Sequence, residues 1–314
     1  IGISKKSKQI IDYYLLLCYN IFSKILKEEA MEQEYIVENV GSFVPEHVFE
    51  CGQCFRWNQD EYGAYVGVFG NNVVRVKKDG NSVCFRGVCD GNIAEVCQEY
   101  FDLNTDYDYI KNTLSNVDEY LKQSISYGHG IRILKQDLWE TLISFIISAN
   151  NNIPRIKMII ERICRKYGKK IEFENREYYT FPRPGELKNA TVQDFRDLGL
   201  GFRDIRVYET VQKVLSNKIN LKELEEEQNV QDLRNKLLEI PGVGPKVADC
   251  IMLFALKKYE VFPIDVWVRR VISELYFDKN EQKPQVIQKF AKEKYGNLAG
   301  LAQQYLFFWR RSIS

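Results

Sequence analysis

The stretch Leu237-Leu238-Glu239-Ile240-Pro241-Gly242-Val243-Gly244-Pro245-Lys246-Val247-Ala248-Asp249-Cys250 decides how this chain is read. One helix ends near Ile240. Pro241-Gly242-Val243-Gly244 makes a tight turn, and Pro245 suits the first turn of the next helix. Gly242 and Gly244 let another group approach the backbone closely. Amides at a helix N-terminus point outward, so such a turn is a ready site for a DNA phosphate. An ordinary αα-hairpin with a glycine turn needs the same residues, and the turn alone does not separate the two readings.

Lys246 adds a distinction. It falls in the first turn of a helix, where the macrodipole disfavours a cation and an acid is the more natural structural choice. A lysine partly withdrawn from water at such a place is easier to deprotonate, which makes it a nucleophile. Cys250 lies one helical turn further on the same face and would flank the same pocket; it also suits a small buried apolar site. The next segment, Val261-Phe262-Pro263-Ile264-Asp265-Val266-Trp267-Val268-Arg269-Arg270, puts Asp265 at the start of another helix. Asp265 is a good N-cap. One carboxylate oxygen can cap while the other faces a cleft.

Outward from this hairpin, apolar periodicity predicts helices over 138–149, 153–167, 192–198, 207–215, 230–238, 246–256, 266–276 and 284–295. The acidic run Glu223 to Glu227 reads as a solvated helix or loop. Residues from about Tyr35 to Val88 are β-rich. Phe55-Arg56-Trp57, Tyr65 to Phe69 and Val73 to Val76 read as short strands, with turns at Asn71-Asn72 and Asp79-Gly80-Asn81. The fold class is α+β: an N-terminal antiparallel β-sheet domain over 31–133, then a mostly helical body over 134–314. Lys5, Lys6 and Lys8 precede an apolar stretch, but Asp12, Asn20 and Lys24 interrupt it, and it makes neither a convincing signal peptide nor a membrane span. Lys27-Glu28-Glu29 before Met31 can be encoded by a purine run like a bacterial ribosome-binding site. Residues 1–30 are therefore expected to be a translated leader or non-native extension.

The 314 residues carry 44 Lys+Arg against 43 Asp+Glu, so any nucleic-acid surface must come from local segregation of charge. Eight irregularly spaced cysteines suit a reduced, cytoplasmic protein rather than a disulfide framework. The two histidines, His47 and His129, supply neither zinc hydrolase chemistry nor a Ser-His triad well.

The Ile-Pro-Gly-Val-Gly hairpin, Lys246, Val-Ala-Asp-Cys and Pro-Ile-Asp-Val together resemble the helix-hairpin-helix glycosylase/lyase signature. Gly52-Gln53-Cys54-Phe55-Arg56-Trp57, the segment from Ser148 to Ile153, and Leu198-Gly199-Leu200-Gly201-Phe202-Arg203 narrow the likeness to the 8-oxoguanine DNA glycosylases. It runs in family order from about Tyr35 to Phe308. The resemblance implies a sheet domain like that of the TATA-binding protein. It also implies a bifunctional enzyme of base excision repair that acts, as a monomer, on double-stranded DNA containing oxidised guanine. A bacterial, nucleoid-associated location goes with it, and no membrane partner.

In this likeness Lys246 is the nucleophile and Asp265 the catalytic carboxylate. Gly52, Cys250, Gln303 and Phe307 surround the flipped lesion base. Asn150 fills the vacated duplex, Phe202 is the wedge, and Arg155 and Arg203 read the opposite cytosine. Gly242 and Gly244 belong to the phosphate anchor. The resemblance requires no cofactor; a structural monovalent or divalent cation would sit at the carbonyls of Leu238, Ile240 and Val243. An iron–sulfur cluster is not supported, since no cysteine follows Cys250. Each residue has a plainer role open to it: a turn glycine at 52, helix packing at 303 and 307, a solvated helix charge at 155. Trp267 replaces a histidine common in the family, and Arg310 an aspartate. Two other functions remain open, a glycosylase for another damaged base and a non-catalytic helix-hairpin-helix DNA-binding protein. Thioredoxin-like chemistry at Cys51-Gly52-Gln53-Cys54 is disfavoured, because that motif opens a β-rich segment instead of leading into a helix.

Overall fold

The computed structural model describes residues 31–313, so the expectation of a leader over 1–30 lies outside the described residues. Five antiparallel strands form the N-terminal sheet in the order β1-β5-β4-β3-β2: β1 (Gln33–Val37), β2 (Trp57–Gln59), β3 (Tyr65–Phe69), β4 (Asn72–Asp79) and β5 (Ser82–Val88). The consecutive strands β2 to β5 form a meander, as the turn signals imply. Tight turns at Gly70-Asn71 and Gly80-Asn81 join Phe69 to Asn72 and Asp79 to Ser82. Alternation along β4 and β5 buries Val74, Val76, Val83 and Phe85 on one face. Helices α1 (Pro45–Glu50) and α2 (Ile93–Tyr100) close over that face with Phe49, Cys97 and Tyr100.

The helical body comprises α3 (Tyr107–Ser115), α4 (Glu119–Tyr127), α5 (Leu138–Ser148), α6 (Ile153–Tyr167), α7 (Val192–Asp197), α8 (Asp204–Leu215), α9 (Leu221–Glu226), α10 (Val230–Leu238), α11 (Pro245–Phe254), α12 (Val266–Tyr276), α13 (Pro284–Tyr295) and α14 (Ala299–Ile313). Helix α5 is apolar nearly all round and buried from Leu138 to Ile147 except at Glu140, as befits a central helix. Tyr107, Ile110, Leu114, Leu121 and Ile125 join this same core. In packing, therefore, α3 and α4 side with the helical body and not with the sheet.

The eight expected helices form within a few residues of their predicted bounds. Three features depart from the reading. Phe55 and Arg56 are not in a strand, which starts at Trp57. The buried Arg56 guanidinium donates to the Tyr179 carbonyl, which holds that segment across to the body. Helix α1 stands inside the β-rich region, started by Pro45 at its first position. The hairpin of β6 (Lys170–Phe173) and β7 (Arg176–Tyr179) was not expected. Its turn residues Glu174 and Asn175 both take positive φ, 48° and 57°, and Glu-Asn is a weak signal for that geometry.

Candidate active site and nucleic-acid interface

Helix α10 and helix α11 form the hairpin predicted from sequence. Gly242 has φ +85°, and a Cβ there would lie 3.0 Å from Cδ of Arg206 and 3.1 Å from Cγ2 of Ile146. Conformation and space both demand glycine at 242. Gly244 is different: its φ is −100°, and an added Cβ would meet nothing within 4 Å. The first helical bond runs from the Ala248 N–H to the Gly244 carbonyl at 2.9 Å. Among the described residues the Lys246 and Val247 amides find no backbone acceptor, as at any uncapped helix start. Thr210 docks α8 beneath the turn, its hydroxyl lying 3.4 Å from the Pro241 carbonyl.

Lys246 is half-buried in the first turn of α11, with its ammonium 5.1 Å from the centre of the Phe145 ring. Cys250, one turn on, is fully buried, and burial pushes its thiol up to about 11. Lys246 pulls that value down and Asp265 pushes it up, so both charges act on one sulfur. Asp265 caps α12 by accepting the Val268 N–H at 2.7 Å through Oδ1. Its other oxygen makes no hydrogen bond among the described residues. The plain structural role and a free carboxylate oxygen thus coexist.

Sequence reasoning gave no part to Asp249, beside Cys250. It is buried and pairs with Arg234 from α10. Gln288 from α13 donates to Asp249 Oδ2 at 3.0 Å and to the Phe262 carbonyl at 2.8 Å. This network ties the helix of Lys246 to the loop leading into Asp265. Burial pushes the Asp249 carboxyl up to about 7, against the pull of Arg234. A buried acid amid an apolar pattern was the available sequence signal.

Gly52 has φ +87°, and a Cβ there would lie 3.4 Å from Cε1 of Phe307. These two residues, 255 positions apart in sequence, thus face each other. Gln53, wholly buried, fixes the loop: it donates to the carbonyls of Val48 (2.8 Å) and Arg132 (2.7 Å) and accepts the Leu134 N–H at 2.9 Å. The thiols of Cys51 and Cys54 are buried, and burial raises Cys51 to about 12, the reverse of an activated redox pair. Trp267 meets Phe307 edge-on with ring centres 5.4 Å apart. Gln303 and Phe307 share with Trp267 and Val268 a crevice too narrow for a water molecule. The Gln303 amide oxygen accepts from Gln304 at 2.7 Å. A larger cavity of about 630 Å³ lies elsewhere, beside Tyr100, Lys135 and Lys257, away from Lys246 and Asp265.

The loop after α5 and the loop before α8 come together. Asn150 is exposed and takes φ +52°. Phe202 is 56% exposed, which suits a wedge. Arg203 is only 2% exposed. Its Nε and Nη2 donate to the Ala149 carbonyl at 2.9 and 2.5 Å, its Nη2 also to the Asn150 carbonyl at 2.7 Å, and its Nη1 to Leu200 at 3.3 Å. Arg203 therefore braces the Asn150 loop in this structure. Arg155 is exposed and makes one contact with that loop pair, from Nη2 to the Gly199 carbonyl at 3.2 Å.

Arg310 pairs with Glu274 of α12 at 2.6 Å. The two departures from the family pattern thus form their own contacts, Trp267 to Phe307 and Arg310 to Glu274. At the hairpin, the Ile240 carbonyl accepts the Val243 N–H at 3.0 Å and the Lys213 ammonium lies 3.5 Å from the Glu239 carbonyl. No side-chain cluster suited to a metal occurs among the described residues, nor a helix long and apolar enough to cross a membrane.

A sheet domain followed by a helical body with a helix-hairpin-helix is the architecture of the helix-hairpin-helix DNA glycosylases, and the chain matches that class. Residues 35–142 match the family description "8-oxoguanine DNA glycosylase, N-terminal domain", and residues 143–296 match "HhH-GPD superfamily base excision DNA repair protein". The chain is 32% identical to a probable N-glycosylase/DNA lyase of Methanothermobacter thermautotrophicus, over 68% of this chain and 74% of that protein. It is 30% identical to the N-glycosylase/DNA lyase of Saccharomyces cerevisiae, over 83% and 81%. The crystal structure of the Clostridium acetobutylicum 8-oxoguanine glycosylase/lyase, in complex with double-stranded DNA containing cytosine opposite 8-oxoguanine, superposes with a TM-score of 0.85. It is 42% identical and covers 90% of this chain and 98% of that one. The chain belongs to the 8-oxoguanine DNA glycosylase family of N-glycosylase/DNA lyases.

Proposed function

We propose that this chain excises 8-oxoguanine from duplex DNA, preferentially opposite cytosine, and then cuts the strand through a Schiff base at Lys246. The observation that carries this reading is the likeness of the whole fold to an 8-oxoguanine glycosylase/lyase held on duplex DNA, with Lys246 in the first turn of α11 and Asp265 capping α12. Lys246 Nζ bonds to C1′ as the glycosidic bond breaks, and the base leaves with that electron pair and takes up a proton. The free oxygen of Asp265 stabilises positive charge developing on the sugar. The nitrogen then loses its proton and the sugar ring opens at C1′–O4′ to give the Schiff base. Loss of a C2′ proton expels the 3′ phosphate, and water returns the amine.

To be reached, the base must leave the stack. The Gly52 carbonyl accepts the N7 proton that 8-oxoguanine has and guanine lacks, a contact able to discriminate by about 1–3 kcal/mol. Phe307 offers a ring face to the base and Gln303 meets its Watson–Crick edge, with Cys250 on the other ring face. Asn150 fills the gap, Phe202 wedges the duplex, and Arg155 and Arg203 read the cytosine. For Arg203 that requires release from the Ala149 and Asn150 carbonyls. The Gly242 to Gly244 turn anchors phosphate. The carbonyls of Leu238, Ile240 and Val243 would hold a structural cation that takes no part in the chemistry, and the reaction needs no other cofactor. The enzyme acts as a cytoplasmic monomer. Single-turnover excision of 8-oxoguanine placed opposite each of the four bases tests the reading. Fastest release opposite cytosine is expected. No release from any duplex would overturn it, and equal release from all four would remove the preference.

A further inference from the structure

Two guanidinium groups lie close to the Phe202 ring. Arg203 stands 4.2 Å from its ring centre and Arg206 5.3 Å. Arg203 is buried and its donors are spent on loop carbonyls. Arg206 is exposed, and among the described residues its guanidinium makes no hydrogen bond and no ion pair. Asp204, the nearest acid in sequence, is turned inward, buried and paired with Arg196 at 2.8 Å. Arg155 Nη2 reaches the Gly199 carbonyl, next to the Leu200 carbonyl that takes Arg203 Nη1, so a third guanidinium stands near the first two. A cluster of guanidinium groups of this kind is a binding place for anions.

The position of Arg206 is also constrained. Its Cδ and Cβ lie 3.0 and 3.3 Å from where a Cβ at Gly242 would stand, so its stem packs on the hairpin turn. Thr210, one helical turn further along α8, accompanies it: the Thr210 hydroxyl donates to the Arg206 carbonyl at 2.8 Å and reaches toward the Pro241 carbonyl. Arg206 thus spans the wedge and the glycine hairpin, and its free donors are carried between them. A charged donor with five N–H groups on a docked stem matches a phosphodiester oxygen well.

We propose that Arg206 is a further DNA-phosphate ligand of this enzyme and that it also holds the wedge Phe202 against Arg203. The inference rests on the reading that the hairpin and wedge receive duplex DNA. It is tested by measuring Kd between about 50 and 200 mM salt, a range over which phosphate contacts reveal themselves, for an unmodified duplex and for one carrying a tetrahydrofuran abasic analogue opposite cytosine. Arg206→Met keeps most of the stem over Gly242 and removes the charge. It is expected to weaken both complexes about ten-fold at low salt and to reduce the slope of log Kd against log salt by about one. Arg206→Lys is expected to restore the slope. A 2-aminopurine beside the analogue should report weaker wedge insertion in both variants, since lysine lacks the planar face. An unchanged slope in Arg206→Met overturns the phosphate role, and unchanged 2-aminopurine signals overturn the brace. Arg206→Gln repeats the slope measurement should the methionine variant melt at a lower temperature. Absence of 8-oxoguanine excision by the unaltered protein would instead strike the proposed function and leave the slope result standing.

Discussion

The segment from Leu237 to Arg270 and the two loops around Asn150 and Phe202 hold their charged side chains in opposite ways. In the first, Lys246 and Asp265 each sit in or at the first turn of a helix, and a network from Arg234 through the buried Asp249 and Gln288 to the Phe262 carbonyl ties the two supports together. Position comes from rigid elements, and Asp265 keeps one oxygen without a hydrogen bond among the described residues. In the second, a charged side chain is itself the support: Arg203 spends its donors on the Ala149, Asn150 and Leu200 carbonyls, and the exposed groups ride on that brace. The contrast teaches that arginines in family order need not be equivalent. Arg155 stands ready on the surface, whereas Arg203 can reach a base only by giving up bonds it already makes.

The largest effect expected from breaking the first region is chemical. Asp265→Asn keeps an N-cap acceptor, so melting temperature should stay nearly constant. Excision should nonetheless fall about 10²–10⁴-fold, with binding to an abasic-analogue duplex retained. Full turnover in that variant would remove Asp265 from the chemistry. The second region should break by unfolding. Arg203→Met leaves the Ala149 and Asn150 carbonyls without their donor and should destabilise the protein by about 2–3 kcal/mol in urea. Arg155→Met should change stability by less than about 0.5 kcal/mol and lower the preference for cytosine. If the two variants behave alike in denaturation, the distinction between brace and reader fails.

The two hairpin glycines sharpen the comparison further. Gly242→Ala must strain φ and displace Arg206, and is expected to cost about 1–3 kcal/mol and to weaken DNA binding. Gly244→Ala meets open space at an ordinary φ, so its effect on stability should stay below about 0.5 kcal/mol. Thermal unfolding of the pair checks this directly, and equal losses would show that the turn has no preferred glycine.

How much of this was legible in the sequence follows the same division. The hairpin and its flanking helices could be read because their signals are local: proline at a helix start, glycine in a turn, apolar residues at helical spacing. The meander was legible from its turns. Helix α1 was not, because its six residues lie inside a β-rich stretch. The meeting of Gly52 with Phe307 depends on a loop pinned by Gln53 and on a C-terminal helix far along the chain, so only the family likeness suggested it. The commitment of Arg203 was not legible at all. Nothing in Gly201-Phe202-Arg203 says that the guanidinium turns inward to carbonyls more than fifty residues away. The role of Asp249 was likewise concealed, since its partners come from α10 and α13.

The central claim is that Lys246 supplies the nitrogen that becomes bonded to the sugar. Incubating the protein with an 8-oxoguanine:cytosine duplex in borohydride reduces any Schiff base to a stable amine, and peptide mapping of the adduct then locates the lysine. A single modified peptide carrying the deoxyribose remnant on Lys246, and no adduct in Lys246→Gln, is the predicted result. An adduct of undiminished yield in Lys246→Gln, or one mapped to another lysine in the unaltered protein, would contradict it.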